Sequence, residues 1–466
     1  MDSAPRHPRF VGRHAELAAL ARHYGAKTSS IVPVYGRRRV GKTELLLRFI
    51  SGKPAVYFSA SQKLRGPQIV DLMRSAAAAL RSPALAEVVP SSWEAAIGLV
   101  MSTAPKGKKL VVVLDEFQWL CESSPELPSI LQRLWDLEWQ RTNDLMLILC
   151  GSFIGFMERE VLGARSPLYG RRAADLKVEP FGYREAADFH PRWSRDEQAR
   201  AYFVCGGIPA YLQRFDPHRS VIQNISREFF ELDAFFQREP EFLLREELTE
   251  IKQAASVLEA IALGKRMQGD IARSVGLTTS ALAPHLKNLV GLGYLERAQP
   301  LSPKPPPRTA VVYRVADPLL RFWFRFVEPN ASVLRRMGPE RAAEQLVAPQ
   351  WEAFCGEGFE RLCREALPFI YDAEGVTAKF RVGEYWDRGT QLDVVGLRGD
   401  GWVDVGECKW GTRDSIAAAA REVRIRGAKY PAEGRTLRYR LFLRRRARPE
   451  LDDVVVHTLD ELYEDT

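Results

Sequence analysis

Residues 36–43 read Gly-Arg-Arg-Arg-Val-Gly-Lys-Thr, the full G-x-x-x-x-G-K-[ST] spacing of a phosphate-binding loop. The apolar run Ile31–Tyr35 precedes it, and the amphipathic Glu44-Leu-Leu-Leu-Arg-Phe-Ile follows. Strand, glycine loop and helix in that order restrict the N-terminal part to an α/β fold with nucleotide at the carboxyl end of a strand. Backbone N–H groups of Gly36, Arg37, Arg38, Arg39, Val40 and Gly41 are expected to wrap the phosphates. Lys42 is expected to reach the β- and γ-phosphates catalytically, and the Thr43 hydroxyl to ligate Mg²⁺, with Glu44 opening the helix.

At 466 residues the chain exceeds one core and predicts two to four domains. Its 46% hydrophobic and 27% charged residues are those of a folded protein. No apolar run is long enough to span a bilayer, and the start Met-Asp-Ser-Ala-Pro-Arg-His carries no apolar signal region. A cytoplasmic protein without a membrane partner is therefore expected. The six cysteines show no C-x-x-C pair or metal-ligand spacing, which fits buried or unpaired thiols. Residues 411–450 hold twelve Lys/Arg against four acids, so this stretch alone carries an excess equal to the net charge of +8. Clustered positive charge suits a phosphate backbone; the alternative is a solvated Arg-rich surface.

Lys109–Leu120 reads Lys-Leu-Val-Val-Val-Leu-Asp-Glu-Phe-Gln-Trp-Leu, a buried parallel strand that delivers two carboxylates to its end. Asp115 is expected to hold Mg²⁺ and Glu116 to polarise the attacking water. The run Leu145–Cys150 ends at Gly151-Ser152, where Ser152 either contacts the γ-phosphate or the water, or simply caps a helix. Arg171 or Arg172 supplies positive charge to the transition state in cis or from another subunit, or remains a surface residue.

Together, Phe10-Val-Gly-Arg-His-Ala-Glu-Leu, the Gly36–Thr43 loop, Leu114-Asp-Glu-Phe-Gln and Gly206-Gly-Ile-Pro-Ala-Tyr-Leu resemble the archaeal-type AAA+/STAND-like ATPase family, over residues 1 to about 230. That resemblance implies that Val11, Gly12 and Arg13 approach the adenine. It also places Pro209 in a helical lid that reports nucleotide state.

Further along, Met267–Leu277 and Thr278–Leu295 read as a helix, a Gly276 turn and a Thr/Ser-capped second helix. Thr309–Val315 is expected to pair with Tyr294–Ala298 as a wing, with Ser280, His285 and Lys287 on the outward face. The second helix contains Pro284 and little positive charge, so DNA reading and an intramolecular clamp both stay open. Ala316–Val327 is dense in aromatic residues and is expected as a buried helix.

Trp351–Cys363 opens a last, helix-led domain. Strand Gln391–Leu397 carries Asp393, and strand Trp402–Trp410 carries Glu407 and Lys409 on one face, with Cys408 on the other. Two acids and a lysine on adjacent strands suit one or two Mg²⁺ ions beside an activated water. This arrangement resembles the PD-(D/E)XK phosphodiesterase fold. The resemblance implies Asp393 and Glu407 as metal ligands, Lys409 as the residue that orients water, and Glu360 as an additional helical acid. Gln391-Leu-Asp lacks the proline that can precede the first acid.

The expected fold class is α/β: a P-loop NTPase core (1–180), a helical lid (181–248), a winged-helix domain (249–328), a linker (329–348) and a restriction-endonuclease-like domain (349–466). The expected function is ATP hydrolysis coupled to a Mg²⁺-dependent nuclease-like domain acting on nucleic acid, DNA above RNA, in repair, processing or defence; a homo-oligomer is compatible. The alternative is a STAND-like ATP-driven switch that binds DNA through a catalytically inactive nuclease fold.

Overall fold

The computed structural model describes residues 10–464, except 249, 308–309, 335, 412–414, 446–450 and 452. Its chain forms two compact units. The first comprises residues 1–180 with Ile208–Ala210, and the second comprises Phe181–Gly207 with 211–466.

In the first unit, strands β1 (Ser30–Tyr35), β2 (Ala55–Ser59), β3 (Leu110–Asp115), β4 (Leu145–Gly151) and β5 (Leu176–Lys177) form one sheet in the order β2-β3-β4-β1-β5. All pairings are parallel. Every residue of β1, β3 and β4 is buried, as expected of β-branched runs covered on both faces. Because β4 lies between β1 and β3, three carboxyl-end loops open at one edge. The loop after β1 holds Gly36–Thr43, the end of β3 holds Asp115 and Glu116, and the loop after β4 holds Ser152. Helix Lys42–Ile50 buries Leu45, Leu46 and Phe49, which fixes its start at the sheet edge.

The second unit begins with the helices of residues 183–247, including Arg195–Cys205. Three helices follow, Ile251–Ala262, Gln268–Val275 and Thr279–Gly291. Gly276 ends the second at φ +71°, and the Thr278 hydroxyl accepts from Ala281 N at 3.2 Å to cap the third. Strands β6 (Leu295–Ala298) and β7 (Val312–Val315) pair antiparallel. Ser280 and Lys287 are exposed. His285 is not turned outward as expected; it is half-buried with Nε2 3.4 Å from Glu250. Phe322 and Phe326 of the aromatic stretch are fully buried, with Phe322 against Phe229 at 4.6 Å and Phe354 at 5.6 Å between ring centres. The stretch 329–348, expected as a linker, carries short helices that bury Leu334, Ala342, Ala343 and Val347 and run into the 26-residue helix Ala348–Ala373.

That helix precedes a second five-stranded sheet of β8 (Phe380–Trp386), β9 (Gln391–Arg398), β10 (Trp402–Lys409), β11 (Thr436–Leu443) and β12 (Val454–Thr458), in sequence order. β8, β9 and β10 form an antiparallel meander. The crossover helix Ile416–Gly427 returns the chain so that β11 is parallel to β10, and β12 is parallel to β11. This sheet buries charge of both signs within its strands, where the first buries Asp115 at the end of β3. Arg440 on β11 is fully buried, donating to Asp404 Oδ1 on β10 at 2.6 Å and to both Glu374 oxygens at 2.7 and 2.8 Å. The neighbouring His457 on β12 lies 2.9 Å from Arg440 Nη1. Burial, and then the Arg440 charge, lower its pKa to about 4.

Candidate functional site

The first site is the carboxyl edge of the parallel sheet. Gly36 approaches the chain after β5 so closely that a Cβ there would lie 2.2 Å from the Val178 carbonyl oxygen, so only glycine fits. Lys42, buried at the start of its helix, donates to the Gly36 and Arg37 carbonyls at 2.8 and 2.9 Å. Gly41 takes φ +91°, and a Cβ on it would lie 3.7 Å from Pro209 Cγ. Pro209 therefore stands against the loop within the same unit. Arg37 is buried, Arg38 is exposed, and Arg39 takes φ +67°. Val40 is buried, and Thr43 and Glu44 open the helix on its exposed side.

The Thr43 hydroxyl donates to Asp115 Oδ2 at 3.4 Å, and the Tyr57 hydroxyl donates to the same oxygen. Burial and the Asp115 charge raise the Tyr57 pKa, so the phenol stays a donor. This hard-oxygen pair suits Mg²⁺ in its donor chemistry. Glu116 follows in a left-handed turn at φ +54°, and Ser152 Oγ donates to its Oε2 at 2.9 Å, joined there by Gln118 Nε2. Ser152 thus serves the carboxylate expected to polarise water. It does not cap a helix: the short helix behind it starts from Phe153.

The N-terminal segment braces this loop. Gly12 and Arg13 both take left-handed φ, near +60°, after the half-buried Val11. The buried Arg13 donates to the Val40 carbonyl at 2.9 Å and to Glu16 at 2.7 Å. Arg171 holds Asp136 with two bonds of 2.8 Å. Arg172 bonds the Leu162 carbonyl at 3.2 Å, and its charge reaches the Tyr35 phenol beside the loop. Tyr57 and Gln118 were missed in the sequence. Gln118 lies two residues past Glu116, and Tyr57 lies on a strand without a motif.

The second site lies on β9 and β10. Asp393 is buried, with Oδ2 accepting from Cys408 N at 3.0 Å and its carbonyl accepting from Arg364 at 2.7 Å. Cys408 and Cys363 on the preceding helix share a thiol hydrogen bond on the other side of β10. Glu407 is buried; its Oε2 accepts from Arg426 at 2.8 Å and stands 3.7 Å from Lys409 Nζ. Lys409 donates to Glu422 at 2.6 Å, and Arg426 also bridges to Glu422. Burial, and then the Asp393 charge, raise the pKa of Glu360 to about 7 and that of Glu407 to about 8; burial also raises that of Asp393.

These expected residues are brought together, yet the three-acid metal set is not closed. Among the described residues no group of three or more His, Cys, Asp or Glu side chains converges to hold an ion. Glu407 Oε2 is engaged by Arg426 with Lys409 3.7 Å away, and its other oxygen, Oε1, is buried without a hydrogen-bond partner. Glu422 and Arg426 were missed; their i, i+4 spacing on the helix after β10 was the available signal. Among the described residues no helix is long and apolar enough to cross a membrane.

Comparison with known proteins agrees with the first site. Residues 10–215 match an ATPase domain described as predominantly from Archaea, and residues 323–422 match archaeal and bacterial proteins of unknown function. An uncharacterized protein of Methanocaldococcus jannaschii is 29% identical over 389 residues, covering 83% of this chain and 84% of its own. An uncharacterized ATP-binding protein of the same organism is 43% identical over 44 residues, 9% of this chain and 75% of its own. The solved Walker-type ATPase of Pyrococcus abyssi shares the fold, with TM-score 0.54 and 20% identity over 70% of this chain and 99% of that one. The chain is therefore an ATPase whose residues 10–215 match the predominantly archaeal ATPase domain and whose residues 323–422 match proteins of unknown function.

Proposed function

We propose that this ATPase acts on DNA, its nucleotide state governing a Mg²⁺-dependent nuclease-like centre in the second unit. The observation that carries the reading is the meeting of Asp393, Glu407 and Lys409 on neighbouring strands, with Glu360 on the preceding helix within electrostatic reach of Asp393. The order helix, β8, β9, β10, helix, β11 supports a PD-(D/E)XK-like domain over residues 349–466. The Gly276 turn between two helices, followed by the β6–β7 ribbon, supports a winged helix over 249–328. Residues 1–180 and 181–248 are then the core and lid.

At the first site Thr43 and Asp115 would hold Mg²⁺, which would supply screening of the phosphates of ATP. Lys42 supplies charge to them, and Glu116, oriented by Ser152 and Gln118, accepts a proton from water. Pro209 at the loop is separated from the Gly206–Gly207 pair in the second unit by Ile208 alone, which gives nucleotide state a covalent route onward. A cytoplasmic protein that forms homo-oligomers fits this reading.

The test is cleavage of DNA by the purified protein with ATP and Mg²⁺. Asp393→Ala and Lys409→Ala are expected to lower cleavage at least about 100-fold; cleavage persisting in both variants refutes the catalytic assignment. One observation favours a second reading, a STAND-like switch with an inactive nuclease fold: Glu407 and Lys409 are already engaged by Arg426 and Glu422. That reading expects DNA binding or oligomerisation to respond to nucleotide, with no cleavage under any condition.

A further inference from the structure

We infer that the groove between the turn Gly389–Gln391 and the outer face of helix Ile416–Gly427 seats the phosphodiester backbone of a DNA strand, with Arg426 joining that seat to Glu407. The inference rests on the DNA-acting reading above and names its contact surface.

Charge alone does not single out this groove, because most of the basic C-terminal stretch is internally neutralised. Arg424 pairs with Asp453, Arg438 with Glu374, Arg440 with Asp404 and Glu374, and Arg444 with Glu352 and Asp196. Arg421, Lys429, Arg435 and Arg445 make no ion pair among the described residues, and of these the exposed Arg421 and Lys429 line the groove. Both line a cavity of about 700 Å³, where Lys429 Nζ stands 3.5 Å from the Gly389 carbonyl.

The spacing suits a nucleic-acid strand. Arg421 and Ile425 lie four residues apart on one face of the helix, about 6 Å at 1.5 Å per residue, and Lys429 follows in the turn after the helix ends at Gly427. Ile425, 50% exposed, sets an apolar contact between two cations. A strand alternates phosphate with an apolar sugar face in the same way, whereas an acidic peptide has no need of the central apolar contact. Glu422 and Arg426 form the adjacent stripe, and they reach Lys409 and Glu407. Arg426 both lines the cavity and holds Glu407, so a phosphate in the groove competes with that carboxylate for a guanidinium suited to either.

The experiment is fluorescence anisotropy of a labelled single-stranded oligodeoxynucleotide on the full chain, in EDTA, across a salt series. Each phosphate contact contributes about 0.7 to the log–log salt slope of a single strand. The double variant Arg421→Ala/Lys429→Ala is expected to reduce the slope by about 1.4 and to weaken binding about ten-fold. The control Lys106→Ala/Lys108→Ala, which removes equal charge from exposed positions of the first unit, is expected to change neither. An unchanged slope in the groove variant, an equal loss in the control, equal displacement by polyglutamate and unlabelled DNA, or no binding by the wild type would each overturn the inference.

Because no divalent cation is present, the result is independent of strand scission. If the wild type never cleaves DNA, the nuclease reading fails while the slope still decides the groove. If cleavage depends on Asp393 but the slope ignores Arg421 and Lys429, the groove fails alone.

Discussion

The two five-stranded sheets solve the problem of holding charge in opposite ways. In the parallel sheet the strands β1, β3 and β4 are apolar up to the buried Asp115 that ends β3, and the chemistry stands at the carboxyl rim. There backbone amides, Lys42, Asp115 and Ser152 come from loops after three neighbouring strands. In the mixed sheet Asp393, Asp404, Glu407 and Arg440 are buried within the strands themselves. A rim site needs little support beyond local backbone geometry. Buried charges are tolerable only when partners from other elements meet them, because desolvation costs several kcal/mol per ion. The second site is therefore more strongly tied to the integrity of its unit.

The largest effect that would break this contrast is on Arg440. Arg440→Ala leaves Asp404 buried without its close cation, while Glu374 keeps Arg438, an expected loss of about 3–5 kcal/mol. Hydrogen exchange at β10 and β11 amides reads it directly. Unaltered protection there would mean that the charge network does not hold the mixed sheet together.

Next is Lys42→Ala, expected to lower the ATP turnover rate by about 100- to 1,000-fold while the melting of the first unit changes little. A steady-state ATPase assay with a thermal scan checks both halves. A collapse of the first unit in place of a catalytic defect would erase the distinction between a rim group and a buried one.

The smallest is an acid sensitivity carried by two deeply buried histidines of the second unit. His190 and His457 are buried with pKa values lowered to about 4, each chiefly by desolvation. Between that value and the unfolded value near 6.5, the unfolded state binds a proton that the folded state refuses. The contribution of each histidine is therefore full above pH 6.5 and falls as pH drops toward 4, on the order of 2–3 kcal/mol by pH 4.5, against the opposite trend of Glu360 and Glu407, whose raised pKa values favour the folded state as pH falls. His457→Asn is expected to flatten part of that slope in the second unfolding transition between pH 7 and 4.5. Parallel slopes in variant and wild type would remove His457 from the account.

Local code made the first site readable. The Gly36–Thr43 loop, the acids ending β3 and the serine after β4 are each written in a few adjacent residues, and the parallel sheet brings strand ends to one edge. Tyr57 was not readable, because β2 reaches Asp115 only through the register Ser59↔Asp115. In the second unit the strands that carry Asp393, Glu407 and Lys409 were legible from their alternation. Arg364, Glu422 and Arg426 were not, because their partners lie 13–29 residues away across helix and strand. The Arg-rich stretch read as a surplus of positive charge, whereas in the fold most of its described members hold an acid.

The sequence by itself determined the phosphate-loop spacing at Gly36–Thr43 between a strand and a helix, and that Asp115 and Glu116 fall at the end of another buried strand. Backbone propensity and residue type suffice there, since a loop's amides point where its glycines allow. Only the tertiary structure decided which cations remain available at the far end of the chain, and that Glu407 meets Arg426. Ion pairs between distant segments depend on which faces are packed together, and burial makes them obligatory.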